Sequence, residues 1–347
     1  PADSRLGQLA IKLADSQMEA KKITARPWNW EDAVFMYGIQ VLHRVTQADR
    51  YENYLNNWVK HHLGQGVKIG SSDSLAPCST VAYLSGLSNQ PNTYDSLLSD
   101  ARDYLKNRVS RTPEGGINHL GSLEELGITL WVDSLFMFGS YLTRLSDAQS
   151  NSTELQELGQ QFTIFSSHLQ TPNGLFLHAH NWALETDPSI FWLRGNGWVT
   201  AIGYEYLRLK RNFLEEADEV SQILTKQVDM LVTLQDTSSG LWWTLLNVPE
   251  EGYLEISGSA LILFGLSRGY RYGFLGDEIL PVLEKGRDGL LKFIGEENGL
   301  WSVHQVSGPT NAGTRNQYLN VRTDSDIPYG VGAALMALVE MSGLPLK

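Results

Sequence analysis

The 347-residue sequence predicts an all-α fold, a closed (α/α)6 barrel of six helical hairpins forming one domain over residues 1–347. Three observations predict it. A glycine-bearing turn recurs as PEGGI at 113–117, PNGLF at 172–176, SSGLW at 238–242 and ENGLW at 297–301, a spacing of about 60 residues. Six stretches are apolar on nearly every face and carry small residues at helical spacing, as helices buried on all sides require. Between them lie stretches with a polar face, as expected of helices that keep one side in water.

The polar-faced candidates, in chain order, are SRLGQLAIKLADSQMEA, RYENYLNNWVKHHL, YDSLLSDARDYLKNRV, STELQELGQQFTIFSSHL, NFLEEADEVSQILTKQVDMLVTLQ and DEILPVLEKGRDGLLKFI. The buried candidates alternate with them: WEDAVFMYGIQVLHRV from Trp30, APCSTVAYLSGL from Ala76, LWVDSLFMFGSYLTRL from Leu130, GNGWVTAIGYEYLRL from Gly195, EISGSALILFGLSRGY from Glu255 and YGVGAALMALVEM from Tyr329. An open solenoid would show the same pairing. Closure is expected because the long glycine- and aromatic-rich segments all precede buried helices, and closure makes them converge on one mouth.

Composition narrows the function. With 10 Trp, 14 Tyr and 11 Phe the chain can fill a core and still line a groove with rings, the make-up of a ligand-binding globular protein. A formal charge of -12 with no basic stripe excludes a nucleic-acid backbone as partner. Cys78 is the sole cysteine, which excludes a disulfide framework and a cysteine-based zinc site. No histidine spacing suggests a metal, so neither metal nor cofactor is expected. No apolar run approaches the roughly 20 residues of a membrane span. The start at Pro1 rather than Met leads us to expect a periplasmic or secreted location slightly more than a cytoplasmic one.

Asp133, in the apolar run LWVDSLFMFGSYL, is the most conspicuous candidate. Burial is expected to raise its pKa and so keep a general acid protonated near neutral pH; equally, it is placed to cap a helix start. Asp73, in SSDSLAPCS, falls at the same end of the barrel, where an N-cap is the ordinary reading. Two carboxylates on one rim are the minimal equipment of glycoside chemistry. His178 in GLFLHAHNW and His119 in GGINHLG follow two of the repeated turns and offer ring nitrogens to a sugar or a carboxylate. In FWLRGNGWV, Arg194 and Asn196 supply donors for a bound sugar, and Trp198 a face on which a pyranose stacks.

These segments resemble the unsaturated glucuronyl and rhamnogalacturonyl hydrolases, glycoside hydrolase families 88 and 105. The resemblance rests on WNWEDAVFMYGI, SDSLAPC, WVDSLFMFG, LFLHAHNW with FWLRGNGW, SGLWWTLLN with YLEISGSA, and DSDIPYGVGAALMALVEM, in family order from Trp28 to Met341. RGNGW favours family 105. The resemblance implies a metal-free hydrolase acting on oligosaccharides that carry a 4,5-unsaturated uronic acid left by a polysaccharide lyase. It implies that Asp133 protonates C4 of the enol ether and activates the water that attacks C5, with Asp73 orienting it. His178, Arg194 and Trp198 match site positions, and Trp30 and Tyr37 further wall or hydroxyl contacts. His119 matches the histidine that usually precedes the catalytic aspartate only if extra residues intervene. The expected activity is that of an unsaturated rhamnogalacturonyl hydrolase. The alternatives are an unsaturated glucuronyl hydrolase for glycosaminoglycan or ulvan products, and a sugar-binding protein on the same barrel.

Overall fold

The computed structural model describes residues 4–87, 93–125, 127–182, 184–211 and 219–347. Each alternating stretch has its helix: α1 (Arg5–Ala20), α2 (Trp30–Thr46), α3 (Asp49–Gln65), α4 (Cys78–Ser85), α5 (Asp95–Asp103), α6 (Val132–Gln149), α7 (Thr153–Leu169), α8 (Leu193–Lys210), α9 (Glu219–Thr233), α10 (Ile256–Arg271), α11 (Leu280–Leu291) and α12 (Pro328–Met341). The NFLEEAD portion of the fifth polar-faced stretch, 212–218, lies outside the described residues. Among the described residues no helix is long and apolar enough to cross a membrane.

The even-numbered helices are buried along almost their whole length, and each packs on the next around a ring, α2 on α4, then α6, α8, α10, α12 and back to α2. The last contact decides between barrel and solenoid. It is a close one, because Gly38 and Gly332 face each other there: a Cβ on Gly38 would meet the Gly332 carbonyl oxygen at 2.8 Å. The odd-numbered helices form the outer layer against this ring. Residues 284 apart in sequence complete the closure, with Gln17 Nε2 donating to the Trp301 carbonyl at 2.9 Å.

Among the described residues, three short two-stranded ribbons accompany the helices: β1 (Leu130–Trp131) with β2 (Ala179–His180), β3 (Ile294–Glu297) with β4 (Leu300–Val303), and β5 (Val306–Ser307) with β6 (Thr323–Asp324). The fourth repeated turn, ENGLW, is the hairpin of the second ribbon; Asn298 (φ 53°) and Gly299 (φ 82°) both take the left-handed conformation that a two-residue hairpin turn needs. The other two ribbons position the site.

A layer of polar side chains crosses the interior well below the mouth. Thr80, Gln40, Arg144, Glu205, Arg268 and Glu340 come one from each inner helix and are joined in that order by side-chain hydrogen bonds and ion pairs. Apolar faces alone did not predict this belt.

Candidate active site

Each inner helix follows an outer helix that runs back along it, so the inner helices are parallel and their N-termini share one end of the barrel. Aligned peptide dipoles make that end favourable for carboxylates. The first turns place Trp30, Glu31, Asp133, Arg194 and Tyr329 there, and Asp73 joins them from Ser72–Leu75, the short turn before α4. Neither aspartate is the cap of its helix. Ser71 caps the turn that carries Asp73, its Oγ accepting from the Ser74 amide at 3.2 Å, and Trp131, at the N-cap of α6, offers no side-chain cap. The capping alternative is therefore removed, and both carboxylates are available to a ligand.

Strand register then brings the histidines in. Pairing Leu130 with His180 and Trp131 with Ala179 sets His178 opposite Val132, whose amide donates to the His178 carbonyl at 2.9 Å. His178 Nε2 lies 3.0 Å from Asp133 Oδ2, and its Nδ1 lies 2.8 Å from Tyr318 Oη. Asp133 Oδ2 and His178 Nε2 are both buried and stand as a close pair without an aligned hydrogen bond, while the other atoms of the Asp133 side chain leave it 13% exposed.

A second pair stands beside the first. His119 Nε2 lies 3.9 Å from Asp73 Oδ2, and its Nδ1 lies 2.8 Å from Ser134 Oγ. The extra residues between His119 and Asp133 do not displace it. They leave the barrel as a loop pinched at its base, where the His119 amide donates to the Thr129 carbonyl at 2.9 Å and Asn118 Oδ1 accepts from the Thr129 amide at 3.0 Å. Trp131 lies between the two histidines, stacked on His119 at 4.6 Å and edge-on to His178 at 5.0 Å. The half-buried Trp182 meets Trp131 edge-on at 4.7 Å.

The electrostatics reverse one expectation. Burial does push Asp133 up, but the adjacent His178, then His119 and Arg194, outweigh it and hold the carboxyl below the ordinary aspartate value. Asp73 goes the other way: its tip is 39% exposed towards the opening, yet crowding by protein raises its pKa, with His119 opposing and Asp133 adding to the rise. Glu31 is also raised, by burial first and by Asp32 and Asp73 among its neighbours. Carboxylates whose environments pull their proton affinities apart are the signature of divided acid and base duties.

Four other sequence candidates are placed differently from expectation. Arg194 is 1% exposed and uses its fork on the protein, donating to the carbonyls of Ser307 at 3.0 Å and Gly308 at 2.9 Å, while its guanidinium lies over the rings of Trp192 and Tyr329. Asn196, fully buried, bonds the Phe176 amide and carbonyl and so staples the repeated turn to α8. Trp198 has no exposed surface and packs on Phe136 at 4.8 Å. Tyr37 is deeper still, under Phe136 and against Arg144. A helix rises about 1.5 Å per residue, so Trp198 and Tyr37 lie about 6–9 Å below the first-turn residues. Both are buried beneath the floor of the mouth. Trp30, half-buried and stacked on Tyr329 at 4.7 Å, remains at the wall. Trp131, Trp182, Tyr318 and Glu31 were missed; the signal for Trp131 was its place two residues before Asp133.

Paired carboxylates over an aromatic floor, at the mouth of a six-hairpin helical barrel, define a class of protein, the glycoside hydrolases. The chain belongs to Glycosyl Hydrolase Family 88, whose profile matches residues 8–344. It is 28% identical over 243 residues to the unsaturated rhamnogalacturonyl hydrolase YesR of Bacillus subtilis (strain 168), covering 69% of this chain and 70% of that one. It is 22% identical over 357 residues to the unsaturated 3S-rhamnoglycuronyl hydrolase of Formosa agariphila, covering 94% and 90%. A solved structure of a possible family 105 member from Salmonella enterica superposes with a TM-score of 0.86 at 26% identity, over 97% of this chain and 93% of that one.

Proposed function

We propose that this glycoside hydrolase, acting as a single catalytic domain, hydrates the C4=C5 double bond of an unsaturated uronyl group at the non-reducing end of lyase-generated oligosaccharides, with a rhamnogalacturonan product as substrate. The observation that carries the reading is Asp133, with one oxygen buried 3.0 Å from His178 Nε2 and the side chain still partly exposed, at the mouth of a family 88 barrel. Asp133 delivers a proton to C4 and its carboxylate then takes one from the water that adds at C5. The resulting hemiketal opens to a ketone, leaving C1 as a hemiacetal that releases the aglycone. Water supplies both hydrogens and the oxygen, and the carboxyl ends the cycle as it began.

Asp133 is held low in the free site, so it must gain its proton as substrate arrives. A bound uronate brings negative charge and excludes water, and both changes raise a neighbouring carboxyl. The basic limb of kcat, set by the complex, is therefore expected at higher pH than the basic limb of kcat/KM, set by the free enzyme. Coincident limbs would show that substrate does not tune Asp133.

Lyase digests of rhamnogalacturonan, glycosaminoglycans and ulvan, followed by the ultraviolet absorbance of the conjugated uronate, test the reaction. Absorbance is expected to fall with the rhamnogalacturonan digest. A fall with another digest alone reassigns the aglycone, and constant absorbance with all three overturns the hydration chemistry.

A further inference from the structure

Tyr318 reaches the site from residues 308–322, the excursion between β5 and β6, and it is 140 residues from the histidine it touches. Its position is fixed from several sides. The short helix Arg315–Leu319 that carries it is preceded by the Thr314 amide donating to Gln317 Oε1 at 2.7 Å, and Arg315 pairs with Glu251. The Tyr318 ring belongs to a small apolar cluster with Ile190, Trp192 and Leu245, separate from the main core. The start of the excursion is gripped by Arg194 through the Ser307 and Gly308 carbonyls.

The two ring nitrogens of His178 face groups with different demands. Tyr318 Oη lies 2.8 Å from Nδ1 and has a hydrogen to give it. A neutral imidazole that accepts at Nδ1 carries its hydrogen on Nε2, and Nε2 is the atom 3.0 Å from Asp133 Oδ2. An ionised carboxylate oxygen beside Nε2 calls for a hydrogen on that nitrogen, so the neutral ring that suits both neighbours has Nδ1 bare and Nε2 protonated.

We propose that Tyr318 is a positioning residue for the hydration reaction, fixing His178 in the tautomer that donates to Asp133, and that Arg194 serves the same carboxylate indirectly by anchoring the segment that carries Tyr318. This rests on the proposed role of Asp133. Its consequence is chemical: after proton delivery the new carboxylate has a hydrogen already on the nitrogen 3.0 Å away, with no tautomer exchange in a site where His178 is 4% exposed.

Tyr318→Phe keeps the ring in its cluster and removes the relay. Nitrogen-15 imidazole spectra of the whole chain, with His178 assigned by its loss in His178→Gln, are expected to show a bare Nδ1 and a protonated Nε2 in the parent and a mixed tautomer in the variant. On active substrate, kcat is expected to fall roughly three- to tenfold, the size of one hydrogen bond, with KM unchanged. The basic limb of kcat/KM is expected to move up by roughly half a pH unit, because a less well-met carboxylate binds its proton more readily. A parent tautomer with its hydrogen on Nδ1, or a variant with unchanged tautomer and unchanged limbs, overturns the proposal even if stability drops. If no digest is turned over, the activity reading fails, and the spectra alone still decide the role of Tyr318.

Discussion

Asp133→Asn is expected to fold as the parent does and to lose roughly 10³- to 10⁴-fold in kcat, the contribution of a positioned acid and base. The amide is isosteric, and its oxygen can take the place of Oδ2, 3.0 Å from His178 Nε2. The ribbon that sets His178 opposite Val132 does not depend on the carboxyl. What disappears is the exchangeable proton of the carboxyl. KM is expected to change little, because an amide there still fills the same volume and still accepts hydrogen bonds. Asp73→Asn is expected to cost less, since Asp73 acts beside the reacting oxygen. Measured turnover within tenfold of the parent, in a variant whose thermal unfolding is normal, would remove Asp133 from the chemistry and move the acid to Asp73, whose raised pKa already suits one.

The difference between what sequence revealed and what it concealed follows from helix geometry. Hydrophobic pattern and the recurring turns locate each helix along the chain, and the order of outer and inner layers follows because a helix apolar on every side has only one place to go. Depth was also legible: residues at the start of inner helices, such as Asp133 and Arg194, had to lie at the mouth. Direction around the helix was not. Arg194 and Asp133 hold matching positions in α8 and α6, yet Arg194 reaches the Ser307 and Gly308 carbonyls while Asp133 stays partly exposed at the mouth. Trp198 is a little over one turn further in, and that turn is enough to bury it under Trp30 and Phe136. Tyr318 could not be found because it lies in a segment without repeat or periodicity, and only the third dimension brings it to His178. The loop between His119 and Thr129 blurred the motif spacing, although the backbone restores the contact at its base.

Glu205→Gln is expected to lower stability by about 3–5 kcal/mol at neutral pH, the cost of stripping a buried ionic network of its counter-charge. Arg144, Glu205, Arg268 and Glu340 each sit twelve residues beyond the first residue of α6, α8, α10 and α12, so four parallel helices present charge at one level of the barrel. Glu205 has no exposed surface and accepts from Arg144 at 3.1 Å and from Arg208 at 2.9 and 3.0 Å, besides its pair with Arg268. Burial pushes its carboxyl up, but Arg208, Arg268 and Arg144 hold it well below its ordinary value of 4.5. Arg208 also lies 3.6 Å from Asp147, so the three guanidiniums are met by three carboxylates, those of Glu205, Glu340 and Asp147. A depressed folded-state pKa gives stability that is complete above the unfolded value and is lost as pH falls through the folded one. The deficit of the glutamine variant is therefore expected to be full at neutral pH and to narrow as urea unfolding is repeated at progressively more acid pH, where the parent loses the same interaction by protonation. A deficit below about 1 kcal/mol, or one that does not vary with pH, would mean that the belt fixes the register of the six helices without contributing to their stability.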